Sequence, residues 1–169
     1  MLVGRLGGRN RRLLSRLREL ADSDHLTGLR NSRAFERELG RRCAGERRFA
    51  LLVGDVDGLK EVNDREGHAA GNMLLRRVAL VLRETLRDDD LAARIGGDEF
   101  GLLVDARDEH DAATLADRLE RQLARDAAPT SFGWALYAAA GSTPEELFDR
   151  ADERLYARRR AGRRAASTG

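Results

Sequence analysis

The heptapeptide Arg94-Ile95-Gly96-Gly97-Asp98-Glu99-Phe100 constrains the fold of this chain more than any other stretch. Two glycines and two carboxylates separate two apolar runs, the pattern of a β-hairpin. Leu91 to Ile95 is expected to form one strand and Glu99 to Val104 the next. The glycines are expected to supply a positive φ and to leave the turn without covering side chains. Both carboxylates then stand at the mouth of a sheet.

A second acidic strand end lies upstream. Phe49 to Gly54 is apolar and strand-like, and it runs into Asp55-Val56-Asp57. Two aspartates two residues apart turn toward one face, with a carbonyl between them. Hard cations such as Mg²⁺ favour such oxygens, taking one or two carboxylates plus substrate phosphates. The remaining elements alternate. Helices are expected at Ser32 to Arg41 (capped by Asn31 or Ser32), Met73 to Leu86, Asp111 to Leu123 and Pro144 to Arg160, with a strand at Pro129 to Tyr137. The order β-α-β-β-α-β predicts an α+β domain, a ferredoxin-like antiparallel sheet with helices on one face. An N-terminal helix, about Asn10 to Ala21, is expected to precede it. Leu6, Asn10, Leu13, Leu17 and Leu20 follow the 4-3-4-3 spacing of a short coiled-coil seam. The boundary is placed at 1–22 for this linker and 23–169 for the domain.

Composition narrows the class. The 169 residues are 41% hydrophobic and 36% charged, as in a globular protein. No apolar run approaches the ~20 residues that span a bilayer. Cys43 is the only cysteine, which excludes an intrachain disulfide and points to the cytoplasm. Lys60 is the only lysine beside 30 arginines, yet no aromatics interleave with the arginine clusters, so a nucleic-acid surface is not expected.

Several ordered motifs resemble the GGDEF domain, the catalytic domain of diguanylate cyclases. They are Asp24-His25-Leu26-Thr27-Gly28-Leu29-Arg30-Asn31, Asp55 through Asp64, Gly67 through Asn72, the hairpin, and Leu155 through Arg159 with Gly162-Arg163. The resemblance covers roughly Asp24 to Arg164. It implies a palm-type sheet like that of nucleotidyl cyclases, and condensation of two GTP into cyclic di-GMP with release of two pyrophosphates. It also implies two Mg²⁺ (or Mn²⁺) ions per active half-site, held by Asp55, the Val56 carbonyl and Asp98. By the same resemblance Asp98 assists deprotonation of the 3′-hydroxyl and Glu99 supports it. Gly58, Leu59, Lys60, Arg159 and Arg163 face the triphosphate, and Asn63 and Asn72 face the guanine. Arg159 stands where the family usually has lysine, and Asn72 where it usually has aspartate. Because each domain binds one GTP, a homodimer is implied for catalysis.

Arg87-Asp88-Asp89-Asp90 occupies the place of the family's inhibitory site. Arg87 and Asp90, with Arg118, are expected to bind cyclic di-GMP as an inhibiting product. Two alternatives stay open from sequence: a catalytically inactive module that binds cyclic di-GMP or GTP, and a cyclase with relaxed base selectivity.

Overall fold

The structure is a computed structural model that describes residues 21–137 and 142–166, with side chains as far as Ala161. The N-terminal helix and its leucine seam lie outside the described residues. In chain order the elements are β1 (Arg30–Asn31), α1 (Ser32–Cys43), β2 (Phe49–Val56), α2 (Leu59–Glu66), α3 (His68–Thr85), β3 (Leu91–Arg94), β4 (Glu99–Val104), α4 (Glu109–Arg125), β5 (Thr130–Tyr137) and α5 (Pro144–Ala166). The sheet order is β1-β3-β4-β2-β5. β2, β3, β4 and β5 pair antiparallel, as expected, and the short β1 adds a parallel edge beside β3.

Helices cover both faces of this sheet, not one. On one face Leu75, Val78 and Leu82 of α3 and Ala116 and Leu119 of α4 pack on Ala50, Leu52 and Phe100. On the other, Phe35 and Leu39 of α1 and Leu147, Ala151 and Leu155 of α5 pack on Phe49, Leu51 and Val53. The physical reason lies in β2 itself. Phe49 through Val53 is apolar at every position rather than at alternate ones, so each face needs a cover.

One helix start is as expected and two depart from the sequence reading. Asn31 is the cap of α1, accepting the Ala34 N–H at 3.0 Å. The helix α2 was not expected, because Leu-Lys-Glu-Val-Asn-Asp-Arg-Glu buries no residue and carries no apolar stripe. α3 begins at His68 rather than Met73, since its first turn is polar or small and lacks the periodicity that marks the rest.

The last helix is seated unusually close to the sheet. A Cβ at Gly133 of β5 would lie 2.0 Å from the Ala151 carbonyl oxygen and 2.4 Å from the Leu155 nitrogen. α5 therefore rests its backbone on β5. Trp134, the next residue, is flanked by the guanidinium groups of Arg154 and Arg158, 5.4 and 5.1 Å from its ring centre. Arg158 also donates to Asp117 at 2.8 Å and Glu120 at 2.7 Å, which ties α5 to α4. These contacts set the register of α5 and hence where Arg159 points. Among the described residues, no helix is long and apolar enough to cross a membrane.

Candidate active site at an acidic strand end

The two acidic strand ends meet. β2 and β4 are in a register that places Asp55 opposite Glu99. The Val56 N–H donates to the Asp98 carbonyl at 3.1 Å, extending the pairing one step beyond β4. Asp55 lies within β2, so its position is fixed by the ladder. The hairpin turn is closed by Ile95 N–H and Gly96 N–H to the Glu99 carbonyl, at 2.9 and 3.3 Å.

The two glycines leave the turn open at Gly97, as expected, but neither supplies a positive φ. Among the described residues the glycines with positive φ are Gly28, Gly58 and Gly67. Gly96 is needed for space, since a Cβ there would strike the Glu99 carboxylate at 2.3 Å, whereas a Cβ at Gly97 would meet nothing within 4 Å. The turn is thus open above Gly97 and closed against Glu99 at Gly96.

Negative charge accumulates here. Burial pushes the Asp55 carboxyl above the usual range; Arg159 opposes this, while Asp98 and Asp57 add to it. Glu99 is also raised, by burial first and then by Asp55, Asp98 and Asp152 of α5. A cation at this edge would relieve both.

One cation is already there, and it is Arg159. Its Nη2 lies 2.6 Å from Asp55 Oδ1 and 2.9 Å from Asp57 Oδ1, and its Nε donates to the same Asp57 oxygen at 3.1 Å. Burial would lower the Arg159 pKa, but the hydrogen bonds and charges of Asp57 and Asp55 outweigh it and hold the group more firmly charged. Arg159 therefore touches carboxylates, where the sequence reading put it on phosphate. Arg163 lies on the same helix, and its side chain is outside the described residues.

Asp57 is tied down from both sides. Ser131 Oγ donates to Asp57 Oδ2 at 2.8 Å, and the Asp57 N–H donates to the Pro129 carbonyl at 2.9 Å. Asp57 and Ser131 were missed as site residues. The doublet Asp55-Val56-Asp57 signalled the first, and nothing local in sequence signalled the second.

Among the described residues no three His, Cys, Asp or Glu side chains gather around one cation position. The donor set still suits Mg²⁺. Asp55, Asp98 and the Val56 carbonyl are all hard oxygens, and Mg²⁺ completes its octahedron with water and phosphate instead of a full protein cage. The guanidinium on Asp55 shows that the spot accepts a positive charge.

The neighbouring elements supply the other predicted residues. Gly58 leads with φ 75° into α2, so Leu59 and Lys60 form its first turn. Lys60 is thus helical and exposed. The first N–H groups of any helix lack intrahelical acceptors and favour anions. Asn63, on α2, packs against α3 where a Cβ at Gly71 would lie 2.0 Å from its Oδ1. Gly71 thereby lets the Asn63 amide approach α3 one residue before the exposed Asn72.

Arg94 is a further residue to which sequence reading gave no role. Its Nη2 and Nε donate to the Gly97 carbonyl at 2.6 and 3.2 Å. Its Nη1 reaches Asp24 Oδ2 at 3.5 Å. Asp24 in turn caps the entry turn, accepting Thr27 N–H at 2.8 Å and Thr27 Oγ1 at 2.6 Å. The turn where the chain enters the domain is thus joined to the hairpin by one side chain.

Arg87, Asp90 and Arg118 line one cleft of about 760 Å³, together with Arg47, Arg48 and Arg107. Asp90 also closes its own turn: its Oδ2 accepts the Arg87 N–H at 3.0 Å and its Oδ1 the Asp105 N–H at 3.3 Å. Asp105 and Asp111 line it too and pair with Arg47 and Arg107, so the cleft is cationic on balance, and it is separate from the Asp55 edge in the residues that form it.

Residues 21–165 match the family described as diguanylate cyclase, GGDEF domain. The chain is 38% identical over 175 residues to the bifunctional diguanylate cyclase/cyclic di-GMP phosphodiesterase MucR of Pseudomonas aeruginosa, covering 96% of this chain and 25% of that protein. It is 40% identical over 157 residues to diguanylate cyclase TpbB of the same species, covering 85% of this chain and 36% of that protein. Among solved structures, it superposes on the coiled coil and GGDEF domain of DgcB from Caulobacter crescentus in complex with c-di-GMP. The TM-score is 0.83 at 31% identity, over 92% of this chain and 89% of that one. The chain thus spans about a quarter to a third of the length of these curated relatives.

Proposed function

The chain belongs to the GGDEF domain family, and from that premise we propose that it is a cytoplasmic diguanylate cyclase, active as a homodimer and inhibited by its product. The observation that carries this reading is the junction of Asp55, Asp98 and Glu99 at one strand end, with cationic groups on its flanks. Each 3′-oxygen bonds to the α-phosphorus of the other GTP, the bond from that phosphorus to the bridging oxygen breaks, and pyrophosphate leaves. The proton of the 3′-hydroxyl passes to a carboxylate, which Asp98 supplies. Mg²⁺, held by Asp55, Asp98 and the Val56 carbonyl, would neutralise phosphate charge and acidify the hydroxyl. Glu99 supports this edge. Lys60, Arg159, Arg163 and the first turn of α2 bind the triphosphate. One domain offers one such edge, so two domains facing each other position both nucleotides.

The reading is tested by incubation with GTP, ATP or both in the presence of Mg²⁺, with products identified by mass spectrometry. Cyclic di-GMP is the expected product. Nucleotide returned unchanged would make the chain a binding module instead.

The cationic cleft is the reading's inhibitory site. Arg87→Ala is expected to weaken cyclic di-GMP binding about tenfold, because a charge-assisted contact is lost, and to raise the plateau of product formation. Calorimetric titration reads this directly. An unchanged affinity would leave Arg87 to Asp90 as a solvated turn.

Asn72 bears on base choice. An aspartate accepts from both guanine N1–H and the N2 amino group, whereas an asparagine presents one acceptor and one donor side. Adenine offers a donor and ring acceptors that suit an amide. GTP remains the preferred substrate through Asn63, with a narrow margin over ATP. Asn72→Asp is expected to widen the GTP/ATP ratio of kcat/KM by about fivefold, the worth of one hydrogen bond. Competition kinetics decide it, and an unchanged ratio removes position 72 from base selection.

A further inference from the structure

Arg159 differs from the other cations of the site in what it touches. Its guanidinium lies on two carboxylates, and the closer pair, 2.6 Å, is with Asp55, whose side chain is only 18% exposed. Asp55 is the carboxylate that the proposed function assigns to a divalent cation. A guanidinium on Asp55 Oδ1 and Mg²⁺ on the same carboxylate would stand a few ångströms apart, repel each other and compete for its negative charge. The second pair is built differently. Asp57 is 38% exposed, its far oxygen accepts from Ser131, and its backbone is pinned to Pro129. It therefore stays in place whatever happens at Asp55.

We propose that Arg159 is a resident counter-ion of Asp55 that a divalent cation must displace, and that Asp57, aimed by Ser131, keeps the displaced guanidinium at the edge of the site. This rests on the reading of Asp55 as a cation ligand. The displaced group remains beside Asp57, on the side from which a triphosphate carried with the cation would approach. Binding of the cation and delivery of the arginine to phosphate are then one exchange. Before the exchange Arg159 neutralises the Asp55 carboxylate, whose isolation would be costly at this depth. After it, the cation does so.

Arginine at this position makes the exchange demanding. Its planar fork engages two carboxylates from one group, using Nη2 for Asp55 and both Nη2 and Nε for Asp57. A lysine ammonium is a compact point charge on a more flexible stem and holds such a bridge less firmly. The domain should consequently need more free cation to load than a variant with lysine here.

The test is binding of Mn²⁺ alone, without nucleotide, read by electron paramagnetic resonance of the free ion. Arg159→Ala is expected to tighten Mn²⁺ binding about fivefold, the value of one partly exposed ion pair. Arg159→Lys should fall between the two. Arg160→Ala removes the same charge one residue away, from an exposed side chain over Tyr156, and should change affinity less than about twofold through screened solvent. Asp55→Asn should abolish the tight site. Equal Mn²⁺ affinity in the wild type and Arg159→Ala, with loss in Asp55→Asn, would overturn the exchange and leave the cation site standing. An equal gain from Arg160→Ala would also overturn it, reducing the effect to net charge. Unchanged binding in Asp55→Asn would overturn the cation site and the exchange together.

Discussion

Asp98→Asn is expected to lower turnover about a thousandfold while leaving the unfolding midpoint unchanged. Asparagine keeps the size and the backbone of the turn, so the Val56 N–H still finds the residue 98 carbonyl. What is lost is a negative oxygen, which in the proposed mechanism both holds a cation and receives the 3′-hydroxyl proton. Glu99 lies opposite Asp55 in the ladder, and burial with the charges of Asp55, Asp98 and Asp152 raises its pKa, so it is a poorer anionic ligand. The loss should appear in kcat more than in KM, since the nucleotide contacts proposed for Asn63, Lys60 and the flanking arginines are untouched. Steady-state kinetics with thermal unfolding on the same preparation measure both halves. Near-normal turnover would remove Asp98 from the chemistry.

Gly133→Ala is expected to cost about 3 kcal/mol of stability, the upper end for overpacking a core. The added methyl would meet the Ala151 carbonyl and the Leu155 nitrogen, which are backbone atoms of α5 and cannot rotate away. Relief requires the helix to lift from β5. That would break the stacking of Arg154 and Arg158 on Trp134 and carry Arg159 away from Asp55 and Asp57. The variant should therefore lose activity at temperatures where it is still folded. Urea unfolding gives the stability change. A midpoint within error of the wild type would mean that α5 is not seated where the structure puts it.

The parts of the fold written in local pattern were legible in sequence. Glu99 to Val104 forms the expected strand and Leu91 its partner, because apolar runs on either side of a small acidic turn permit little else. The covering of both sheet faces was available in the unbroken apolar run of β2, which the sequence reading took only as the mark of a strand. The helix α2 was invisible for a physical reason: with no buried residue it carries no stripe, and Gly58 with α3 define it instead. The positive φ expected of the hairpin glycines is absent, since sequence cannot tell a need for positive φ from the need for empty space that Gly96 meets beside Glu99.

The site divides in the same way. Asp55, Asp98 and Glu99 were readable from strand ends, and Arg87, Asp90 and Arg118 do line one cleft. The partners of Arg159 were not readable. Its bridge to Asp57 spans 102 residues of chain and depends on how α5 sits on β5. Ser131 and Arg94 act through contacts that no spacing announces, one beneath Asp57 and the other between Asp24 and Gly97.

The central claim, that this acidic strand end joins two GTP molecules, is tested most directly by counting products in one reaction. GTP and Mg²⁺ are incubated with the wild type and with Asp98→Asn, and cyclic di-GMP and pyrophosphate are quantified together. Two pyrophosphates for each cyclic di-GMP from the wild type, and both formed about a thousandfold more slowly by the variant, is the result predicted. Release of GDP and phosphate, or equal yields from both proteins, would contradict it.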